Sequence, residues 1–302
     1  MKAKELVLLV PKFIALVVLY FICFSVASAL LLRPDLVPQP PPEESGNAIV
    51  ALFAVCLLNT SVLTWIILRS RWAGWRLILS IALISYGVTT FMTQIETAVF
   101  VTRLPSGLLP RLFIVGAIVS GLFSPLAVII LGKLKSDASE YDADSRLSLP
   151  LRQWAWRLGF IAISYVIIYF TFGYFIAWKS PAVRAYYGGN DPGSFLTQIQ
   201  SVFRDQPWLP PFQVLRSMLW VGIALPVIKM MKGPWWEAGL AVALLFSVVM
   251  CSQLLLPNAL MPAEVRMAHL VETASSNFLF GWLLVWTLTW DPRVPQSAFS
   301  KY

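Results

Sequence analysis

The chain of 302 residues is 58% hydrophobic and only 13% charged, with a net charge of +8 and a mean hydropathy of +0.72. Soluble domains have about 25% charged and about 45–50% apolar residues, so this composition excludes a disordered chain, a nucleic-acid-binding protein and an ordinary soluble enzyme. The three cysteines all lie within apolar stretches, which indicates packing residues rather than a disulfide framework or a zinc site.

The hydropathy pattern predicts an all-α, polytopic transmembrane helical bundle of about eight spans. A span needs about 20 apolar residues, and backbone groups in lipid must pair within the segment, so each span must be helical. The apolar stretch near the N-terminus exceeds the roughly 7–15 residues of a signal-peptide core, and we interpret it as a retained first helix, with a cleaved signal peptide as the alternative. In chain order the predicted spans are 10–32, 48–68, 77–101, 111–132, 157–178, 212–231, 238–256 and 268–290.

The distribution of Lys and Arg between the two sides of these spans predicts the orientation of the chain. Fifteen of the 23 basic side chains lie on the side of the N-terminus and eight on the other side. Cytoplasmic loops carry the excess of Lys and Arg. We therefore expect a multi-pass protein of the cell membrane, of the bacterial inner-membrane type, with both termini in the cytoplasm.

The polar segments between the spans predict how the chain is divided. A cytoplasmic linker at 136–150 separates a first half of four spans (1–135) from a second half of four spans (151–302). The two halves either form a tandem repeat or share short apolar strings by chance. The long external segment 179–211 is either a lid over a pocket or a simple connector, and its stretch 194–203 predicts a short amphipathic helix on the membrane surface.

Ionisable residues within or beside the spans mark the candidate site, because such residues are costly to place in lipid. By helical spacing, Thr93 and Glu96 share one face with Thr89 late in the third span, and His269, Glu272 and Ser276 share one face in the eighth. We expect both groups near the outer surface, where they would line a common wet pocket. The candidate ligand-binding residues are Thr93, Glu96, His269, Glu272, Ser276 and Asn277, and the residues expected at the external mouth are Arg103, Arg184 and Arg266.

Such a set could relay protons, bind a cation, or hold a divalent metal ion. The alternative is that these side chains only tie helices together or extend to the membrane interface. No HExxH, GxSxG, GxGxxG or P-loop motif occurs in the chain.

Three functions follow as hypotheses. The first, which we favour, is a transporter-like bundle that binds a small solute, an ion or a lipid head group in an outward-facing pocket. The second is a membrane-embedded enzyme acting at the outer leaflet, with Glu272 as general base and His269 as acid or metal ligand. The third is a non-catalytic scaffold or sensor. The expected partners are the lipid bilayer and a small solute or lipid.

Overall fold

The computed structural model describes residues 3–32, 42–101, 104–135, 147 and 149–290, and these residues are helical, without a strand among them. This confirms the predicted all-α fold class. The α-helices are α1 (Ala3–Leu31), α2 (Pro42–Ser45), α3 (Ala48–Arg69), α4 (Gly74–Tyr86), α5 (Thr93–Phe100), α6 (Leu108–Ile130), α7 (Leu151–Phe172), α8 (Pro181–Tyr187), α9 (Phe195–Asp205), α10 (Leu209–Met230), α11 (Trp235–Leu244) and α12 (Ala263–Thr289).

Seven helical segments within the described part of the chain are long and apolar enough to cross a membrane, and they correspond to the first seven predicted spans. The eighth predicted span, 268–290, is helical as α12, but this helix begins at Ala263 and its first half contains the ionisable residues. The chain is thus a polytopic membrane bundle of about eight spans. The seven segments are Val7–Leu31, Ala48–Arg69, Gly74–Phe100, Leu108–Ile130, Leu151–Ala177, Leu209–Met230 and Trp235–Leu255.

The outer surface of α1 shows directly why the bundle requires a membrane. Large apolar side chains at every fourth position of this helix are exposed, and helical spacing aligns them along one face. A soluble protein rarely exposes a continuous apolar stripe of this length. The stripe consists of Ile14, Val18, Ile22, Val26 and Leu30, which are 48–71% exposed.

Three of the spanning segments contain π-helical turns among the described residues, at Gly87–Met92, Gly173–Ala177 and Leu245–Val249. The apolar pattern gave no sign of them. A π-turn hydrogen-bonds from residue i to i+5 and changes the angular spacing of the side chains that follow. The regular α-helical spacing assumed between Thr89 and Thr93 therefore does not hold. The side-chain hydroxyl of Thr93 donates to the carbonyl of Val88 at 3.2 Å.

The chain forms two compact units. Unit 1 comprises residues 1–143, 230–232 and 248–262, and unit 2 comprises the remaining residues. Most of the predicted linker 136–150 lies outside the described residues, and the predicted division into halves of four spans stays a prediction.

In unit 1, α6 packs against α1 and α4, and α1 also packs against α3. The ring of Tyr20 on α1 meets the edge of Phe123 on α6, with 5.0 Å between the ring centroids. Gly116 on α6 lies directly against Thr90, where a Cβ atom would come within 1.8 Å of the threonine hydroxyl. Small residues permit this close approach of helices, as is typical of packing in membranes.

In unit 2, α12 is the central helix and packs against α11 and α7. Gly281 lies against the backbone of Ala243 on α11, so these two helices are also in close contact. Arg157 on α7, 2% exposed, donates to the carbonyl oxygens of Leu288 and Trp290 at the C-terminal end of α12, at 2.5 and 2.6 Å. A positive charge at a helix C-terminus is favourable because it meets the negative end of the helix dipole.

Candidate functional site

The first half of α12 places a carboxylate and an imidazole side by side in unit 2. The Nδ1 atom of His269 lies 2.8 Å from an Oε2 atom of Glu272, three residues further along the helix. Both side chains are largely shielded from solvent, with exposures of 19% for His269 and 10% for Glu272. The predicted common face of these two residues is thus observed.

A third group, the phenol of Tyr187, extends this pair toward the connecting segment. Its hydroxyl lies 3.2 Å from Nε2 of His269. Tyr187 is the last residue of α8, a helix that starts at the Ser180 cap and Pro181 and ends at Gly188, where φ is +70°. Only glycine adopts this left-handed conformation without strain, so the turn fixes the position of the tyrosine.

The three side chains form one continuous hydrogen-bonded chain. When Glu272 is ionised its carboxylate can only accept, and Nδ1 of His269 is then the donor of this bond. In the neutral imidazole, Nε2 then accepts from the Tyr187 hydroxyl. We call this arrangement, Tyr187–His269–Glu272, the relay. It leads from the end of α8 to the carboxyl group of Glu272, a buried residue within a membrane bundle.

The walls around the relay are aromatic and closely packed. The ring of Tyr187 contacts Trp178, with 6.2 Å between centroids, and the edge of Tyr186, with 4.9 Å. Burial raises the pKa of Tyr186 above its usual value, so that phenol stays protonated. Opposite Glu272 lies Gly173, the first residue of the π-turn at the end of α7, where an added Cβ would stand 3.6 Å from the other carboxylate oxygen.

The remaining predicted residues of α12 lie on the inner side of this helix. Ser276 and Asn277 are both buried, and the Ser276 hydroxyl donates to the carbonyl of Thr273 at 3.3 Å. Arg266, expected at an external mouth, is only 3% exposed. The participation of Ser276 and Asn277 in ligand binding and the place of Arg266 at an external mouth stay predictions.

Of the other two residues expected at the mouth, Arg184 is described and Arg103 lies outside the described residues. The guanidinium of Arg184 donates to the carbonyl oxygens of Trp178 at 2.8 Å and Lys179 at 3.4 Å. It therefore holds the start of the connecting segment together.

In unit 1, Thr93 and Glu96 lie in the first turn of α5, and both side chains are partly exposed. The neighbouring Gln94 is 7% exposed, and its Oε1 atom has no hydrogen-bond partner among the described residues. Whether Glu96 shares a chamber with Glu272, which belongs to unit 2, stays a prediction.

A second polar group in unit 1 lies deeper in the bundle. The amide nitrogen of Asn59 donates to the Tyr20 hydroxyl at 3.1 Å, and the Ser252 hydroxyl donates to the amide oxygen at 2.9 Å. All three residues are buried. The Asn59 side chain thus joins α1, α3 and the segment around Ser252.

Sequence reasoning missed Arg216 on α10. This arginine is 2% exposed, donates to the side-chain oxygen of Gln213 at 2.9 Å, and lies over the rings of Tyr165 and Phe212, 5.9 Å from each centroid. A charge buried within a spanning helix usually marks a functional position. The available signal was its place seven residues after the start of α10, inside an apolar stretch.

No group of three or more His, Cys, Asp or Glu side chains that could hold a metal ion occurs within the described part of the chain. Comparison with known proteins gave no match, whether with family models, curated proteins or solved structures. The function must accordingly be argued from the chemistry of the site.

Proposed function

We propose that the protein is a transporter-like membrane protein that binds a small ion or solute at a site around Glu272, with the proton as the ion best suited to it. The observation that supports the proposal is the relay, in which the buried Glu272 contacts His269 and His269 contacts Tyr187. Each member of the relay can both release and take up a proton.

Movement of a proton along the relay requires only local changes. A proton that enters at Tyr187 displaces the hydroxyl proton to Nε2 of His269, and the Nδ1 proton passes to Glu272. Release of the Glu272 proton toward the cytoplasmic side and tautomerisation of His269 would restore the starting state, with one proton carried across the membrane. Glu272 would then be a loading position that couples proton uptake to the binding of a solute.

Ser276 and Asn277, which lie on the same helix as Glu272, are further lining residues in this proposal, and the participation of Thr93 and Glu96 stays a prediction. The pocket opens to the external side of the cell membrane, with both termini in the cytoplasm. A carboxyl group is costly to bury in a membrane bundle, and ionisable residues at such positions usually serve a function. This supports a functional role for Glu272.

Proton flux into liposomes tests the proposal. Reconstituted protein with a pH-sensitive dye inside the vesicles, driven by a potassium diffusion potential, should acidify the lumen faster than protein-free vesicles. Glu272→Gln should abolish the difference. Glu264→Gln, an exposed glutamate at the start of the same helix, should retain it. Equal flux for Glu272→Gln and the unchanged protein would contradict the proposal.

The second candidate is an enzyme that acts at the outer leaflet, and the orientation of His269 favours it. A carboxylate on Nδ1 holds an imidazole so that Nε2 can act as an acid or base, which is how hydrolases position a catalytic histidine. In this case Tyr187 would occupy the substrate's place at Nε2. Turnover of a lipid-linked or peptide substrate that His269→Gln abolishes would favour the enzyme over the transporter.

A further inference from the structure

Unit 2 contains an apolar cleft that is separate from the relay. It has a volume of about 670 Å³ and lies between α7, the end of α9 and the start of α10. Every lining residue is apolar. They are Ile163, Val166, Ile167, Phe203, Pro207, Pro210, Pro211 and Val214.

The backbone at the start of α10 suits contact with hydrocarbon. The first N–H groups of a helix have no partner within the helix, and an unpaired N–H is costly in lipid. Pro210 and Pro211 lie in the first turn of α10 and have no N–H to expose. By contrast, α8 and α9 start at the serine caps Ser180 and Ser194.

The cleft lies beside the middle of the spanning segment Leu151–Ala177. It extends along α7 to Ile167 and Ile163, which precede the end of that spanning segment at Ala177 by ten and fourteen residues. At 1.5 Å per residue this places them roughly 15 and 21 Å below the end of the segment. Half of a hydrocarbon core measures about 15 Å, so the lining residues of α7 lie at the depth of the acyl chains.

Charged residues of both signs lie next to the cleft in the chain. Arg204 and Asp205 directly follow the lining residue Phe203 and form an ion pair at 2.8 Å, with their side chains 78% and 54% exposed. The hydrogen bond from Arg204 holds the pKa of Asp205 below its usual value, so the carboxylate stays ionised. Trp208, three residues after Asp205, is 46% exposed. Tryptophan is enriched at membrane interfaces.

We propose that this cleft is a binding site for one membrane phospholipid with a zwitterionic head group. One acyl chain occupies the cleft, the phosphate contacts Arg204, and the ammonium group contacts Asp205. An exposed ion pair contributes little to stability, so its two charges can open to receive a head group. The amphipathic α9, with Leu196 and Phe203 exposed on its apolar side, lies along the interface and forms the upper edge of the site.

Native mass spectrometry of the full chain in mild detergent, with added phosphatidylethanolamine or phosphatidylglycerol, tests this site. The unchanged protein should retain one phosphatidylethanolamine. Ile167→Trp and Val214→Trp fill the cleft from opposite walls and should each weaken binding by about tenfold or more, because they displace several methylene groups. Ile114→Trp on α6, at a position equally open to lipid (48% exposed), is the matched control.

A separate substitution tests the assignment of the head group. Asp205→Asn should remove the preference for phosphatidylethanolamine over phosphatidylglycerol while chain binding persists. Equal lipid retention in both cleft variants and the control would mean annular lipid only and would overturn the proposal. A changed oligomeric state in the cleft variants, without a change in lipid binding, would assign the cleft to contact between copies and would also overturn it. Glu272→Gln should bind lipid normally, which separates this test from that of the relay.

Discussion

Gly116 is the position where a single methyl group would matter most in unit 1. An added Cβ would stand 1.8 Å from the Thr90 hydroxyl and 2.6 Å from the Thr90 Cβ, so no rotation of the threonine side chain removes the clash. On the same helix, a Cβ added at Gly121 has no atom within 4 Å. The two glycines therefore separate a packing requirement from the general effect of glycine in a helix.

We expect Gly116→Ala to lower the free energy of unfolding by about 1–3 kcal/mol, the usual cost of overpacking. Gly121→Ala should be neutral or stabilising by up to about 1 kcal/mol, since alanine is the better helix former. Thermal or denaturant unfolding in detergent measures both. Equal effects of the two substitutions would show that α6 does not approach Thr90 as described.

Asn59 gives a second prediction at the residue scale. Asn59→Leu removes the hydrogen bonds to Tyr20 and Ser252 while conserving volume, and should cost about 1 kcal/mol, in the range measured for hydrogen bonds between membrane helices. Ser61→Ala removes only a bond to the carbonyl of Leu57 in the same helix and serves as the control. An unfolding midpoint that is unchanged in Asn59→Leu would contradict the role of Asn59 in joining helices.

At the scale of the element, α12 depends on a partner that fixes its C-terminal end. The guanidinium of Arg157 reaches two carbonyl oxygens at once, and a lysine ammonium cannot reproduce that planar fork. Arg157→Lys should therefore destabilise unit 2 by about 2 kcal/mol, as expected for hydrogen bonds to a charged group. Arg152→Lys, exposed one turn earlier on α7, should change stability by less than about 0.5 kcal/mol. Comparable losses for both variants would refute the capping role.

The helices themselves were predictable from the sequence, because lipid contact demands long apolar segments and apolar side chains dominate each of them. The pairing of His269 with Glu272 was predictable too, since residues three apart on a helix lie on one face. The π-turns were not, because they depend on packing between helices and leave no mark on the apolar pattern. The contact of Tyr187 with His269 joins residues 82 positions apart, and no local pattern encodes it.

At the scale of the whole molecule, the orientation in the membrane is open to direct measurement. The described cysteines Cys23, Cys56 and Cys251 are buried, so a new cysteine can be labelled selectively. Thr197→Cys on α9 should react with a membrane-impermeant maleimide in intact cells. Lys135→Cys, which is also exposed, should react only after permeabilisation. The reverse pattern would place the termini outside.

The central claim is that Glu272 takes up a proton through His269 and Tyr187, and infrared difference spectroscopy of the reconstituted protein tests it most directly. Spectra recorded between acidic and alkaline pH should contain a carboxyl band that Glu272→Gln removes and that Glu264→Gln leaves in place. Tyr187→Phe, which removes only the hydroxyl on His269, should shift this band or slow its appearance after a pH jump, whereas Tyr186→Phe at the neighbouring position should not. A spectrum that Glu272→Gln leaves unchanged, or a band indifferent to Tyr187→Phe, would contradict the account.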